Sequence, residues 1–192
     1  MSVLLLGLVL FLAAHSVRIV ADGWRSRTIA RLGEAPWKGI YSLVSLAGFA
    51  LVVWGYGLAR QQPVPLWDPP AWTRHLAALL MVASFVLLVA TYVPHSGLKA
   101  RLHHPMVLSV KVWALAHLLA NGMLADVVLF GAFLAWSVLD YRSARRRDEA
   151  AGTSYAAGTS GATATTVVIG LVAWALFAFW AHRWLIGVPV FS

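Results

Sequence analysis

The sequence predicts an all-α fold, a polytopic transmembrane bundle of six helices, on three observations. Hydrophobic residues make up 60% of the 192 residues and charged residues only 11%, far from the composition of soluble globular domains. Mean hydropathy is +0.76. The apolar residues gather into six runs, each near the ~20 residues that a bilayer core requires, and polar, proline-rich or basic connections separate them. A single bundle follows, because no connection is long enough to be a domain. The formal charge of +8 does not signal nucleic acid, since the arginines flank apolar runs and form no soluble basic face. The absence of cysteine excludes disulfides, thiolate haem ligands, iron–sulfur clusters and cysteine nucleophiles together. Any metal must be held by histidine or oxygen.

The first span, about 3–21, has no positive region ahead of its apolar run and so reads as a retained helix, not a signal peptide. Its second half carries His15, Ser16 and Arg18, which must face the bundle or reach the interface. The second span, about 39–58, holds Gly48, Gly55 and Gly57, small residues that let helices approach closely. The connection QQPVPLWDPPAW resists helix through its four prolines and suits a surface cap. A third span, about 73–93, is plainly apolar and is stopped by Pro94. The fourth, about 105–121, opens on Pro105, a favourable first-turn residue. It closes at Asn121-Gly122, a helix-ending pair followed at once by the fifth span, about 123–140. Spans four and five therefore form a tight antiparallel hairpin with Asp126 near its closed end. A Gly/Ser/Thr/Ala-rich linker, about 148–165, is expected to be mobile, and the last span is about 167–186.

Basic residues set the orientation. The connections after spans one, three and five collect Arg25, Arg27, Arg31, Lys38, Lys99, Arg101, Arg142, Arg145, Arg146 and Arg147, against Arg60 and Arg74 on the other side. The positive-inside rule then places both termini on the non-cytoplasmic side, and the lipid bilayer is the first partner.

KVWALAHLLANG, 111–122, is apolar enough to enter a membrane yet carries His117 at mid-run. An ionisable group there raises a functional hypothesis; the plain alternative is a packed, hydrogen-bonded core histidine. His95, His103, His104, His75 and His182 read as solvated or interfacial.

Five segments together are similar to the NnrU family of bacterial inner-membrane proteins, associated by name with denitrification: His15-Ser16 with Arg18, KGIYSLVSLAGFALVVWGYG, HPM at 104–106, KVWALAHLLANG and LADVVLFGAFLAW. More distantly the pattern resembles the 15-cis-zeta-carotene isomerases, membrane enzymes that use haem b to isomerise a polyene double bond. The resemblance implies an inner-membrane location, haem b as cofactor, His15 and His117 as metal ligands, and either an apolar polyene substrate or denitrification components as partners. Where those isomerases carry a cysteine three residues before the second histidine, this chain has Ala114, which removes a histidine-to-thiolate switch. Trp113 shares the His117 face, and Arg18, Lys111 and Arg101 are candidate partners for propionates. At ~1.5 Å rise per residue, however, His15 lies roughly 6 Å to the cytoplasmic side of its span's centre and His117 roughly 6 Å to the outer side of its own. Trans ligands on one iron should be nearly level. The oligomeric state is open. HHPMVLSV departs at three positions from the RHPxYxG segment of isoprenylcysteine-type methyltransferases, and the paired broken helices of a transporter are absent, so both readings rank below haem.

Overall fold

The computed structural model describes residues 1–191. Its elements are α1 (Ser2–Val20), α2 (Asp22–Leu32), α3 (Glu34–Arg60), α4 (Trp72–Tyr92), α5 (Gly97–Leu102), α6 (Pro105–Ala120), α7 (Leu124–Ala151) and α8 (Ser160–Leu176), the last continuing through a π-helical turn (Phe177–Ala181) into α9 (His182–Ile186). Among the described residues five helices are long and apolar enough to cross a membrane: α1, α3, α4, α7 and the continuous helix Ser160–Ile186. The sixth expected span, α6, is apolar but has 16 residues, about 24 Å at the usual rise, and is the shortest of the set. The short α2 has no buried residue and carries Trp24, Arg25, Arg27 and Arg31, the composition of a helix lying along an interface.

Glycine fixes the tightest contact. A Cβ on Gly55 would meet Leu4 N at 2.3 Å, one on Gly7 would meet Val52 N at 2.5 Å, and one on Gly48 would meet Phe11 N at 2.7 Å. These pairings run in opposite senses, so α1 and α3 are antiparallel with backbones in near contact, the close approach that small residues permit in lipid. Gly57, one of the glycines singled out from sequence, faces open space.

From α1 the neighbours continue through α7 to α6, then α4, then α8. Helix α3 packs on α1 and α7 but not on α4 or α8 among the described residues. A gap therefore separates the α1/α3/α7 half from the α4/α6/α8 half, and the α6–α7 hairpin hinges them. The proline-rich connection caps that hairpin: Leu66 N donates to Gly122 O at 2.8 Å and Leu124 N to Val64 O at 2.8 Å. Gly122 is required there, since a Cβ would lie 2.0 Å from Trp67 O.

At the opposite end the basic connections converge. Arg147 Nη1 donates to Arg18 O at 3.4 Å, and His104 Nε2 lies 2.8 Å from Asp148 Oδ2. Here the linker differs from its sequence expectation. Helix α7 continues to Ala151 because its basic tail is helix-compatible and self-paired, with Arg145 3.7 Å from Asp148 and 3.8 Å from Glu149 at spacings that place side chains together. Helix α8 begins at Ser160, capped by the Thr159 hydroxyl, which accepts from Ala162 N at 3.1 Å. A small residue that suggested a flexible linker serves packing instead: a Cβ on Gly158 would meet Gly97 Cα at 2.3 Å. What remains, 152–159, is tied down. Thr159 N donates to His95 O at 2.9 Å, Gly97 N donates to Thr163 Oγ1 at 2.9 Å, and the Tyr155 hydroxyl donates to Asp148 Oδ2 at 2.8 Å. His103 packs edge-on against Tyr155 at 4.2 Å, so the interfacial histidines are built into a clasp.

Asp148 lies more than one helical turn beyond the apolar part of α7. Hydrogen bonds from the Tyr155 hydroxyl, then from His104, hold its carboxyl below the ordinary carboxylate range. Burial, then the bond to Asp148, pushes the Tyr155 phenol up to about 12. A carboxyl more acidic in the fold than in the free chain adds stability above the ordinary carboxylate range and loses it as pH falls through the folded value. The clasp is therefore intact near neutrality and opens on strong acidification. Tyr155→Phe should speed amide hydrogen exchange across 153–159 at least several-fold at pH 7 while leaving α3 unchanged. Gly55→Val should destabilise the bundle by about 1–3 kcal/mol through overpacking, seen as a lowered melting temperature in detergent.

Candidate functional site

His117 sits one turn before the end of α6. Its Nδ1 is 2.8 Å from Trp113 O, and a carbonyl can only accept, so Nδ1 carries the proton and the lone pair resides on Nε2. That is the tautomer a metal-ligating histidine adopts when a backbone carbonyl fixes its other nitrogen. The ring stacks on Phe130 at 4.5 Å and is tilted against Trp113 at 5.3 Å, while Asn121 Nδ2 donates to His117 O at 2.8 Å.

His117 faces a cavity of about 950 Å³ in the gap between the two halves, at the upper end of the range for ligand sites. Its walls are apolar, with Val52, Met81, Phe85 and Phe133 among them, and the π-helical turn contributes Phe177 and Ala178. Such turns occur frequently at functional sites. Arg60, Arg74 and His182 also line the cavity. Arg60 Nη1 donates to Ile186 O at 3.0 Å, bridging α3 to α9 across the gap, and His182 Nδ1 donates to Val188 O at 2.7 Å.

A second polar group lines the same space. The Tyr56 hydroxyl donates to Asp126 Oδ1 at 2.5 Å, the length of a charge-assisted O–H···O bond, and Asp126 is only 6% exposed. This bond ties α3 to α7 near the Gly122 end of the bundle.

His15 repeats the His117 arrangement elsewhere. Its Nδ1 donates to Phe11 O at 2.8 Å and its ring stacks on Phe11 at 4.1 Å. The two imidazoles do not share a chamber: His15 lines a smaller cavity of about 370 Å³, and Phe11 and Phe49 line both. Ring centroids step from His15 to Phe11 at 4.1 Å, to Phe133 at 5.8 Å, to Trp113 at 5.5 Å and to His117 at 5.3 Å. Phe11, Phe133 and Trp113 are thus roughly level. His15 lies four residues inward from Phe11 and His117 four residues outward from Trp113, an offset of about 12 Å at ~1.5 Å per residue. The helices carry His15 and His117 to different depths with aromatic rings between, so the structure does not bring the two imidazoles together.

Of the other expected site residues, Trp113 lines the large cavity. Arg18 instead pairs with Asp22 at 3.8 Å with its side chain 58% exposed, and neither Lys111 nor Arg101 lines it. Arg60, Arg74, His182 and Tyr56 were missed as site residues because nothing local marks them: two sit at the ends of apolar helices, where basic residues are commonplace. Among the described residues no cluster of three or more His, Cys, Asp or Glu forms a metal site.

Tyr56→Phe leaves Asp126 buried without its donor and should cost about 1–3 kcal/mol, read as a lowered melting temperature. Replacing both, Tyr56→Phe with Asp126→Leu, should recover most of that loss, since removing both partners of a buried pair is far less costly than removing one.

A family model described as NnrU protein matches residues 3–190, and the chain belongs to that family. No curated protein and no solved structure matches it.

Proposed function

We propose that this member of the NnrU family is a haem b protein of the bacterial inner membrane, in which His117 would hold the iron and the remaining cavity would admit an apolar substrate. The observation that carries the reading is the His117 imidazole: Nδ1 is committed to Trp113 O at 2.8 Å, and Nε2 is left for a ligand at the wall of a 950 Å³ cavity. Neutral imidazole is a common axial ligand of haem. The donor set and the cavity's aromatic walls suit a planar apolar macrocycle. Arg60 and Arg74 suit its anionic arms, replacing Arg18, Lys111 and Arg101 in that role.

In this reading bound haem b would supply the iron chemistry. The chain's own residues hold and shield it. The Trp113 carbonyl fixes the His117 tautomer, Phe130 holds the ring by stacking, and the proline-rich cap closes the outer end against water. The gap between α3 and the α4/α8 pair gives an apolar molecule a lateral path from the bilayer. An apolar polyene undergoing cis–trans isomerisation is the substrate class that this path and the apolar walls favour. A non-enzymatic role in handling electrons or nitrogen oxides for denitrification uses the same iron without the lateral gap.

With α6 as a short sixth span, both termini lie on the non-cytoplasmic side. The basic clasp around Asp148 and Arg147 then faces the cytoplasm, as the positive-inside rule requires. Protein purified with haem should show a Soret band. His117→Ala should abolish it, whereas His15→Ala should retain at least half of the haem. Full retention in His117→Ala would remove the ligand assignment. A polyene that blue- or red-shifts on incubation marks the isomerase, and a nitric-oxide-shifted Soret band without polyene turnover marks the alternative.

A further inference from the structure

Freed from the large cavity, His15 belongs to a site of its own. Its chamber of about 370 Å³ is lined by Phe11, Tyr41 and Phe49 on the apolar side and by His15, Ser42 and Ser45 on the polar side. Ser42 is exposed and Phe49 is 54% exposed. Both lie on the surface of an apolar helix, so the chamber opens toward lipid.

His15 on α1 and Ser45 on α3 line the chamber, and Trp136 on α7 lies beside the His15 ring. His15 Nε2 holds a lone pair, because Nδ1 donates to Phe11 O. Ser45 Oγ, on α3, is buried and makes no hydrogen bond of good geometry, although the Tyr41 hydroxyl one turn earlier on the same helix lies near it. The Trp136 Nε1–H, on α7, is likewise buried and unpartnered, and its ring meets that of His15 edge-on at 6.1 Å. Buried polar atoms are nearly always paired. Within hydrocarbon an orphan costs more than elsewhere, for no solvent compensates it. An acceptor at His15 Nε2 and a donor at Ser45 Oγ on the wall of one chamber suit a ligand that both donates and accepts.

We propose that this chamber is a second binding site, separate from the His117 cavity, for a membrane-soluble molecule whose flat ring bears a hydroxyl, of the phenol or quinol class. The hydroxyl proton is donated to His15 Nε2, and the hydroxyl oxygen accepts from Ser45 Oγ–H. A hydroxyl alone meets both demands, whereas an ether or a hydrocarbon ring meets at most one. The ring lies among Phe11, Tyr41 and Phe49, where offset or edge-on aromatic contacts are favourable, and its apolar tail leaves toward lipid past Ser42 and Leu46.

The site does not depend on haem. Full-length protein is released from detergent into native mass spectrometry after incubation with 4-dodecylphenol or with its methyl ether. The phenol should be retained at one per chain, with the ether retained at least tenfold less. His15→Ala and Ser45→Ala should each reduce phenol occupancy at least fivefold, and His15→Gln, which keeps an acceptor, should retain more than His15→Ala. His117→Ala should bind the phenol as wild type does, provided that its melting temperature shows a folded bundle. Equal retention of phenol and ether, loss in His117→Ala but not His15→Ala, or no retention of either probe would each overturn the proposal, the last indicating that water alone satisfies these atoms.

Discussion

An imidazole within an apolar helix has a ring proton to place, and His15 and His117, both half-buried, place it in the same way. His15 and His117 each donate Nδ1–H to the carbonyl four residues back, at 2.8 Å. In an α-helix side chains lean toward the N-terminus, so that carbonyl is within reach at no cost to the neighbouring helices. The consequence is chemical. Each Nδ1–H is committed to its own helix, which leaves Nε2 to face the neighbouring space. Everything proposed about function depends on what that nitrogen faces.

What it faces follows from how the helices pack. The glycine contacts hold α1 against α3 at backbone distance, and the α6–α7 hairpin, pinned by the proline-rich cap, fixes the other half. Because α3 does not reach α4 or α8, the space between the halves is left as a cavity. Arg60 spans one end of it by bonding Ile186 O across the gap. Helix direction completes the assignment. Helix α1 carries His15 inward and α6 carries His117 outward, so two identical devices come to face two different chambers, with Phe11 and Phe49 between them.

The six apolar stretches were legible from hydropathy, and their ends were read to within a residue or two wherever a proline or the Asn121-Gly122 pair stops the helix. Where no such residue intervenes the limits moved. Helix α7 ran on through its charged tail, α3 began at Glu34 with a Glu34–Lys38 pair at 2.8 Å, and α8 began seven residues early because Thr159 supplies a cap inside a stretch whose composition resembles a linker. Gly48 and Gly55 were recognisable as packing residues; Gly57, singled out with them, faces open space, whereas Gly7, which was not singled out, meets Val52, because the faces of α1 and α3 that meet decide the matter. At the site, His15, His117 and Trp113 stood out as polar or aromatic residues at helical spacing in apolar runs. Their offset in depth was already contained in the positions of the two histidines along their spans. The partners of long sequence separation, Tyr56 with Asp126 and Arg60 with Ile186, belong to tertiary structure and leave no local trace.

The central claim is that a single protein imidazole, His117, holds haem iron while His15 stands apart. Low-temperature electron paramagnetic resonance of the ferric, haem-loaded protein tests it directly. One imidazole ligand with an open or water-filled sixth position gives a high-spin axial signal, and that is the expected result, unchanged by His15→Ala. A low-spin rhombic signal of bis-imidazole type that collapses on His15→Ala would contradict the account.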